Sequence, residues 1–214
     1  MSEVEFETRQ CLRESCRLRY PVVTGDAEGW VCPRCGAPTE LAIVASVSKN
    51  SPSIRPANGQ VVVEGFLDNI RSAYNVGAIF RTADGAGVRH LHLAGITPTP
   101  LHPKVPKTAL GSEKVIPWTH HRNGLDAVSG MSKRGFELWA LENSQDARSL
   151  FESRKINNSG NPIVLIVGNE LSGIDQGILD LCHRIIALPM VGSKGSLNVE
   201  VTFGVAAYYL RFVS

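Results

Sequence analysis

The chain has 214 residues and a formal net charge of +2, and 43% of its residues are hydrophobic while 20% are charged. This composition is ordinary for a folded protein and excludes wholesale disorder. No apolar run approaches the roughly 20 residues that a membrane-spanning helix needs, and the acidic N-terminus lacks the apolar core of a signal peptide. We therefore expect a soluble, cytoplasmic protein that does not interact with membranes.

Four of the five cysteines lie in the first 35 residues, as Cys11-x4-Cys16 followed by Cys32-x2-Cys35. Two short pairs at this separation are typical of a zinc ribbon, in which two turns present four thiolates to a tetrahedral ion. The alternative is a pair of disulfides, which a cytoplasmic location disfavours. We predict a structural Zn²⁺ site, because four thiolates leave no open coordination position for catalysis. The fifth cysteine, Cys182, lies in a helical pattern and is expected in the core.

The segment 1–45 is predicted to be a small zinc-ribbon-like module that needs metal to fold, because it contains few apolar residues. A polar stretch with two prolines and an Asn-Gly pair follows at 46–60 and is interpreted as a linker. Residues 61–214 are predicted to form the main domain. Four arginines crowd the first cysteine pair and make the module a candidate for RNA docking: Arg9, Arg13, Arg17 and Arg19.

From residue 61 onward, short β-rich runs alternate with helical segments. This alternation predicts an α/β fold with a mostly parallel sheet that is covered on both faces. Val61 begins the first strand, and the helix after it is predicted over 76–86. The later strands are predicted at 90–93, 115–118, 136–141, 163–167 and 184–188, with helices at 175–182 and 198–212. Ligands of such sheets bind in the loops at the C-terminal ends of the strands.

Three loops at those strand ends carry unusual residues. In the first, Asn75 suits the N-cap of the next helix, and Arg81 interrupts an otherwise small and apolar helix and can reach back toward Asn75. The second loop, GNELSG, places Glu170 between glycines, and in the third, PMVGSKGSLNV, Asn198 suits the N-cap of the last helix. Neither a Walker loop nor a Rossmann glycine fingerprint fits the order of these residues.

Together, and in this order, the three loops resemble the three motifs of the SPOUT superfamily, in its SpoU/TrmH branch of RNA ribose 2′-O-methyltransferases. The matching patterns are Asn75-x-Gly77-x3-Arg81-Thr82, Gly168-Asn169-Glu170-x2-Gly173 and Pro189-Met190-x-Gly192-x3-Ser196-Leu197-Asn198-Val199. The segments 107–113 and 115–118 also resemble the family. The resemblance covers residues from about 60 to 214 and leaves out the cysteine module.

The resemblance implies a fold in which the C-terminal segment threads a trefoil knot. It implies that S-adenosylmethionine binds in a bent conformation in the knot, at Gly168, Leu188 and Leu197, largely through main-chain atoms. It further implies a homodimer that forms through the knot, with each active site completed across the interface. The implied substrate is RNA, either tRNA or rRNA.

The resemblance also implies roles for the polar residues of the three loops. Arg81 is expected at the ribose hydroxyl or an adjacent phosphate, oriented by Asn75. Three further residues are expected to shape the substrate and knot loops: Glu170, Ser196 and Asn198. In the family this arginine has been proposed as the base, but a guanidinium holds its proton tightly, so we favour electrostatic stabilisation of the forming alkoxide. The rival hypothesis is a catalytically inactive zinc-ribbon RNA-binding factor.

Overall fold

The structure, a computed structural model, describes three segments of the chain: 5–45, 61–152 and 160–213. The predicted linker at 46–60 lies outside these described residues. The chain separates into two compact units, Met1–Arg55 and Pro56–Ser214, and each has its own buried side chains. Within the described segments, none of the helices is both long enough and apolar enough to cross a membrane.

The N-terminal unit is a three-stranded antiparallel sheet. Its strands are β1 (Phe6–Cys11), β2 (Arg19–Val23) and β3 (Thr39–Ala45), in the order β2-β1-β3, with a 3-10 turn at Ala27–Trp30. The buried centre consists of Cys11, Cys32 and Ala37, with further cysteines packed against it. A core this small is typical of modules that bound metal stabilises.

The C-terminal unit contains a seven-stranded sheet in which every neighbouring pair is parallel. Its strands are β4 (Val63–Asp68), β5 (Leu91–Ala94), β6 (Trp118–His121), β7 (Glu137–Leu141), β8 (Arg148–Ser149), β9 (Ile163–Val167) and β10 (Arg184–Ala187). Their order across the sheet is β6-β5-β4-β9-β7-β10-β8. The predicted parallel α/β sheet is confirmed.

Helices cover both faces of this sheet. They are α1 (Ala73–Ala86), α2 (Pro106–Ala109), α3 (Gly124–Lys133), α4 (Gln176–Leu179) and α5 (Val199–Phe212). Consecutive strand residues point to opposite faces, so Leu67 packs with α1 and α5 while its neighbour Phe66 packs with α3 and α4. All five residues of β9 are buried, because helices cover this central strand on both sides.

One strand is displaced from its predicted position. The sequence predicts a strand at 115–118, whereas β6 begins at Trp118. The preceding Ser112–Lys114 forms a 3-10 turn, and Pro117 has no N–H to donate to a strand partner. The carbonyl oxygen of Pro117 accepts a hydrogen bond from the backbone N–H of Leu91 at 3.0 Å, and regular pairing starts with the next residue.

Candidate active site

The first loop joins β4 to α1, and the structure moves the start of this helix. α1 begins at Ala73, and its N-cap is Ser72, whose Oγ accepts a hydrogen bond from the backbone N–H of Asn75 at 3.3 Å. The prediction that Asn75 caps this helix is therefore wrong. Because the serine takes the capping position, the Asn75 side chain lies in the first turn and its amide contacts the other loops instead.

Glu170 connects the second loop to the first. Its Oε1 atom accepts hydrogen bonds from the backbone N–H of Ser72 at 3.1 Å and from Asn75 Nδ2 at 2.9 Å, and its Oε2 accepts from the backbone N–H of Arg71 at 2.9 Å. Partial burial acts to raise the pKa of Glu170, but these hydrogen bonds outweigh it and hold the pKa below its ordinary value. Glu170 is therefore a fixed negative charge at the N-terminal end of α1, where the helix dipole favours it.

Asn198 connects the third loop to the same point. Its Nδ2 donates a hydrogen bond to Asn75 Oδ1 at 3.4 Å, and its Oδ1 accepts one from the backbone N–H of Glu200 at 3.1 Å. The second bond makes Asn198 the N-cap of α5, as predicted. Asn75 thus accepts from Asn198 while it donates to Glu170. The hydrogen-bonded chain Glu170–Asn75–Asn198 links all three loops.

Asn169 holds the second loop in shape. Its Nδ2 donates to the carbonyl oxygen of Asn69 at 2.7 Å, and its Oδ1 accepts from the backbone N–H of Leu171 at 2.9 Å. Gly168 is needed for a different reason, since a Cβ at this position would overlap the backbone of Gly173. The loop therefore folds back on itself at the end of β9 and presents Glu170 to the first loop.

A cavity of about 450 Å³ opens among the three loops. This volume lies within the range of roughly 300–1,000 Å³ that is usual for small-ligand sites. The cavity is lined by seven of the eight residues predicted to serve catalysis or cofactor binding: Asn75, Gly168, Glu170, Leu188, Ser196, Leu197 and Asn198. Its walls combine apolar side chains with amide, hydroxyl and carboxylate groups, which suits a ligand that is itself part apolar ring and part polar chain.

Arg81, the eighth predicted residue, does not line this cavity. It lies further along α1 and lines a second, open cavity together with Lys107, Glu200 and Tyr208. Arg81 lies six positions after Asn75 along the helix, a rise of about 9 Å. The side-chain hydrogen bonds of Asn75 within the described segments go to the second and third loops, so the predicted approach of Arg81 is not found within one chain.

A pair of polar residues that lines the cavity at the end of β7 was not predicted from the sequence. Glu142 and Asn143 follow directly after β7. Asn143 Nδ2 donates to the carbonyl oxygen of Gly195 at 2.6 Å, and Glu142 Oε2 accepts from the backbone N–H of Ile174 at 3.0 Å. Both residues therefore fix neighbouring loops. The signal was present in the sequence, because a polar pair directly after a buried strand lies at the same sheet edge as the other loops.

The four N-terminal cysteines form a separate candidate metal site. The Sγ atoms of Cys11, Cys16, Cys32 and Cys35 all lie within 4.8 Å of one another. The Cys11–Cys35 sulfurs are 3.5 Å apart and the Cys16–Cys32 sulfurs 3.9 Å apart, and all four cysteines are free thiols. Tetrahedral zinc with Zn–S bonds of about 2.3 Å places its sulfurs roughly 3.8 Å apart, so the cluster fits this metal.

Cys182 has the environment of a core residue. Its side chain packs against the cluster of apolar residues beneath α3 and α4, and its Sγ lies 3.3 Å from the carbonyl oxygen of Ile178. Burial raises the pKa of Cys182 to about 12, so the thiol stays protonated and unreactive at neutral pH. The expectation of a packing role is confirmed.

The sequence of the C-terminal unit matches the model of one known protein family. The family model described as "SpoU rRNA Methylase family" matches residues 63–208, a span that contains all three loops, β4 to β10 and most of α5. The chain belongs to the SpoU rRNA methylase family. The cysteine unit of this SpoU family member lies outside the matched span.

Two curated relatives illustrate the range of similarity. The 23S rRNA (guanosine-2′-O-)-methyltransferase RlmB of Pseudomonas putida is 32% identical over 142 residues, which are 66% of this chain and 55% of the relative. The tRNA (guanosine(18)-2′-O)-methyltransferase of Aquifex aeolicus is 30% identical over 152 residues, which are 67% of this chain and 65% of the relative. The SpoU family member therefore spans little more than half of the first relative's length.

Solved structures share the fold of the C-terminal unit. The AdoMet-bound rRNA methyltransferase from Sinorhizobium meliloti superposes with a TM-score of 0.65 at 27% identity, covering 74% of this chain and 58% of that one. The TrmH/SpoU tRNA modifying enzyme of A. aeolicus superposes with a TM-score of 0.61 at 28% identity, covering 71% of this chain and 75% of that one. The likeness thus extends over most of this SpoU family member.

Proposed function

We propose that this protein is an S-adenosylmethionine-dependent methyltransferase that acts in the cytoplasm on the 2′-hydroxyl of a ribose in tRNA or rRNA. The observation that carries the proposal is the chain Glu170–Asn75–Asn198, which joins the three motif loops around one cavity. The names of the relatives support the substrate class, since one acts on 23S rRNA and another on tRNA. An inactive RNA-binding factor has no use for such a cavity, so we favour the enzyme.

The cavity fits S-adenosylmethionine by its chemistry. Apolar side chains of Leu188 and Leu197 suit the adenine ring, while the polar groups of Glu142 and Asn143 suit hydroxyl and amino groups. We assign Gly168, Leu188 and Leu197 to cofactor binding. When bound, the cofactor supplies a methyl group on a positively charged sulfur. The AdoMet-bound S. meliloti enzyme, at 27% identity, supports this assignment.

Glu170 acts in this mechanism as a positioning residue rather than as the base. Three N–H donors occupy its two carboxylate oxygens and lower its pKa, so the carboxylate is a poor proton acceptor at neutral pH. Its role is to orient Asn75, whose amide is held from the other side by Asn198. Ser196 and Asn198 shape the third loop, so that the ribose hydroxyl is aligned with the methyl group.

Arg81 is proposed to serve the active site of a second copy of the chain. Four side chains of α1 and α5 are 40–48% exposed although they are apolar or aromatic: Tyr74, Val201, Tyr208 and Phe212. A stripe of this kind on packed helices is typical of an interface between copies. Arg81 lines an open cavity together with Tyr208, a member of this stripe. We propose that pairing of two copies through the stripe places Arg81 at the partner's cavity, where its guanidinium stabilises charge that forms on the ribose oxygen or sits on an adjacent phosphate.

The sheet order supports the predicted trefoil knot. β7 and β8 are consecutive along the chain, yet β10 lies between them and pairs with both. Asn143, in the connection between β7 and β8, also donates a hydrogen bond to Gly195, which follows β10. We propose that the chain after β10 passes through the loop that this connection forms, and that the cofactor binds there.

The N-terminal unit is proposed to hold one structural zinc ion. The ligands are the thiolates of Cys11, Cys16, Cys32 and Cys35, whose spacing suits tetrahedral coordination. With four protein ligands the ion has no position open to substrate, so its contribution is to the folding of this unit.

Transfer of a labelled methyl group to RNA tests the proposed function. The protein is incubated with total RNA and methyl-labelled S-adenosylmethionine, and the RNA is then digested to nucleosides. We expect the label in a 2′-O-methylated nucleoside. Label on a base, or no transfer by a protein that binds the cofactor in calorimetry, would contradict the proposal.

A further inference from the structure

The two turns that carry the cysteine pairs, residues 11–18 and 31–38, are built alike, and we call them the knuckles. In each, the first cysteine donates its backbone N–H across the turn at 2.8 Å, and the residue after the second cysteine donates to a carbonyl four residues back at 2.9 Å. That residue has a left-handed backbone in both knuckles, with φ of +70° at Gly36 and +46° at Arg17. Only glycine adopts this conformation freely, so the backbone favours glycine at position 17. Backbone geometry therefore does not explain the arginine at position 17.

Charge is unevenly distributed over the N-terminal unit. The knuckles contain three arginines and one glutamate, whereas the remaining described residues of 5–45 contain two arginines and five carboxylates. Those two arginines are engaged within the unit, since Arg9 pairs with Glu7 at 2.8 Å and Arg19 donates to Gln10 at 3.2 Å. The knuckle arginines are exposed, and none of them forms an ion pair or side-chain hydrogen bond with another described residue: Arg13, Arg17 and Arg34.

Trp30, directly before the second knuckle, is exposed although the backbone around it is hydrogen-bonded. Its side chain is 64% exposed, which is unusual for the largest apolar residue. The backbone on both sides is held, because the Tyr20 hydroxyl lies 3.1 Å from the carbonyl oxygen of Gly29 and 3.0 Å from that of Val31. The backbone that carries the indole is therefore held on both sides, while most of the residue's surface is left uncovered by the described part of its unit.

We propose that the knuckle surface, defined by Arg13, Arg17, Trp30 and Arg34, binds single-stranded RNA, with a base stacked on the indole and the guanidinium groups on neighbouring phosphates. An exposed aromatic ring and exposed arginines in one small unit are suited to this ligand, because every base has a π-face and every nucleotide a negative charge. Three arginines against one carboxylate favour a polyanion over a protein partner. The choice of RNA rests on the proposed function, but the binding needs no methyl transfer.

An alternative explanation of the arginines is that they offset charge inside the unit. A zinc ion bound by four thiolates retains a net charge of about −2, which nearby guanidinium groups stabilise. This explanation does not account for Trp30, and it predicts that loss of an arginine weakens metal binding. The two explanations are therefore separable when zinc content is measured for every variant.

Tryptophan fluorescence of the full-length protein tests the stacking. The chain has three tryptophans, of which Trp139 is fully buried and Trp118 partly buried, so the signal of Trp30 is the difference between the wild type and Trp30→Phe. Oligouridylate and oligoadenylate strands are titrated without S-adenosylmethionine. We expect quenching in the wild type and none from Trp30→Phe. Affinity should fall about 5- to 100-fold in Trp30→Ala and be largely retained in Trp30→Phe, which keeps an aromatic face.

The matched control is Leu41→Ala, which removes another exposed apolar side chain of the same unit, 50% exposed, outside the knuckles. It should leave RNA affinity unchanged. Arg17→Gly suits the backbone of the knuckle and should lower the slope of log affinity against log salt by about 0.7, the value for one phosphate contact on a single strand. Zinc content should stay at the wild-type level in each of these variants.

Several results would overturn the proposal. The proposal is wrong if RNA does not quench the emission of Trp30. It is also wrong if Trp30→Ala and Leu41→Ala lose RNA affinity equally, or if the loss of RNA affinity follows the loss of zinc. Unchanged RNA affinity in Trp30→Ala would also overturn it and would point to a protein contact at Trp30. Methyl transfer that persists without Trp30 quenching would refute this inference alone, whereas quenching without any methyl transfer would refute only the proposed function.

Discussion

Glu170 shows how a charged side chain can organise a site without taking part in proton transfer. Its carboxylate accepts hydrogen bonds from the backbone of Arg71 and Ser72 and from the Asn75 amide, and these residues lie more than 90 positions away along the chain. A local helix cap reaches only a few residues. The long-range carboxylate therefore decides which way the first loop enters α1 and which way the Asn75 amide faces.

Glu170→Gln tests this role through stability. The glutamine amide keeps one acceptor oxygen but places an NH₂ group against the N–H donors that the carboxylate binds. We therefore expect the free energy of unfolding to fall by about 1 kcal/mol, a modest value because the site is open to solvent. The carboxylate pKa is lower in the folded chain than its ordinary value of 4.5. Its stabilisation is therefore complete above pH 4.5 and disappears as the pH falls through the folded pKa.

Denaturant unfolding of both proteins at pH 7 and pH 3 measures this difference. We expect the difference in free energy of unfolding between wild type and Glu170→Gln to be present at pH 7 and to be smaller at pH 3. A difference of equal size at both pH values would contradict the role of the ionised carboxylate, and so would the absence of any difference at pH 7.

The sequence predicted which residues belong to the site more readily than it predicted their hydrogen-bond partners. The loop positions of Asn75, Glu170 and Asn198 follow from strand ends and motif order. The capping of α1 was assigned to the wrong residue, because Ser72 and Asn75, three positions apart, are both good N-cap residues by type. The choice depends on Glu170, which only the folded sheet brings near. Glu142 and Asn143 were missed although they directly follow a buried strand, and their contacts with the neighbouring loops follow from the position of β7 between β9 and β10.

At the scale of elements, α1 packs closely against α2 through Gly77. A Cβ at this position would overlap the side-chain oxygen of Thr108 and the carbonyl oxygen of Val105. Thr108 Oγ1 also donates a hydrogen bond to the carbonyl oxygen of Tyr74 at 2.8 Å. The segment before β6 therefore fixes the helix that carries Asn75 and Arg81.

Gly77→Ala should destabilise the C-terminal unit by about 1–3 kcal/mol, because the added methyl group forces the two helices apart. Gly130→Ala in α3 is the matched control, since a Cβ at Gly130 meets no atom within 4 Å. Alanine there should stabilise by about 0.5–1 kcal/mol through helix propensity. Urea denaturation compares the two variants, and similar effects from both substitutions would contradict the packing argument.

Element types were more predictable than element boundaries. Strands such as β9 follow from a short run of buried β-branched and aliphatic residues, which has one plausible structure between turn residues. β6 was displaced because Val115 and Ile116 are good strand residues by propensity, yet the turn at Ser112–Lys114 and the missing N–H of Pro117 delay pairing. Tertiary contacts override propensity at such ends.

At the scale of the whole molecule, the two units differ in what stabilises them. The C-terminal unit has two extensive apolar clusters, one on each face of its sheet. The apolar cluster of the N-terminal unit consists of Cys11, Cys32 and Ala37, two of which belong to the cysteine cluster. The four-cysteine pattern predicted this difference. The sheet order, with β10 between β7 and β8, could not be read from periodicity, because alternating strands and helices are compatible with many strand orders.

Cys32→Ser tests the independence of the two units. Loss of one thiolate should abolish bound zinc and unfold the N-terminal unit, because metal binding supplies most of its folding free energy. Cofactor affinity of the C-terminal unit should stay within about twofold of the wild type, since the described residues that line its cavity all lie between positions 75 and 202. Metal analysis, limited proteolysis and calorimetry measure these quantities. A fall in cofactor affinity in parallel with zinc loss would contradict the prediction.

A mixed dimer tests whether Arg81 acts across the interface. Arg81→Ala should lose methyl transfer and keep cofactor binding, and Ser196→Trp, which fills the cavity, should lose both. An equal mixture of the two chains should recover about a quarter of wild-type activity, because about half of the dimers are mixed and each mixed dimer retains one intact site. Without recovery in verified mixed dimers, Arg81 must act within its own chain.

Ribose-methylation mapping of total RNA, from cells with and without the gene, tests most directly whether the joined loops form a ribose 2′-O-methylation site. The account predicts that a 2′-O-methyl group disappears from a defined tRNA or rRNA nucleotide in the deletion. The wild-type gene should restore it, whereas a gene encoding Arg81→Ala should not. An unchanged methylation map, or a lost methyl group that proves to lie on a base, would contradict the account.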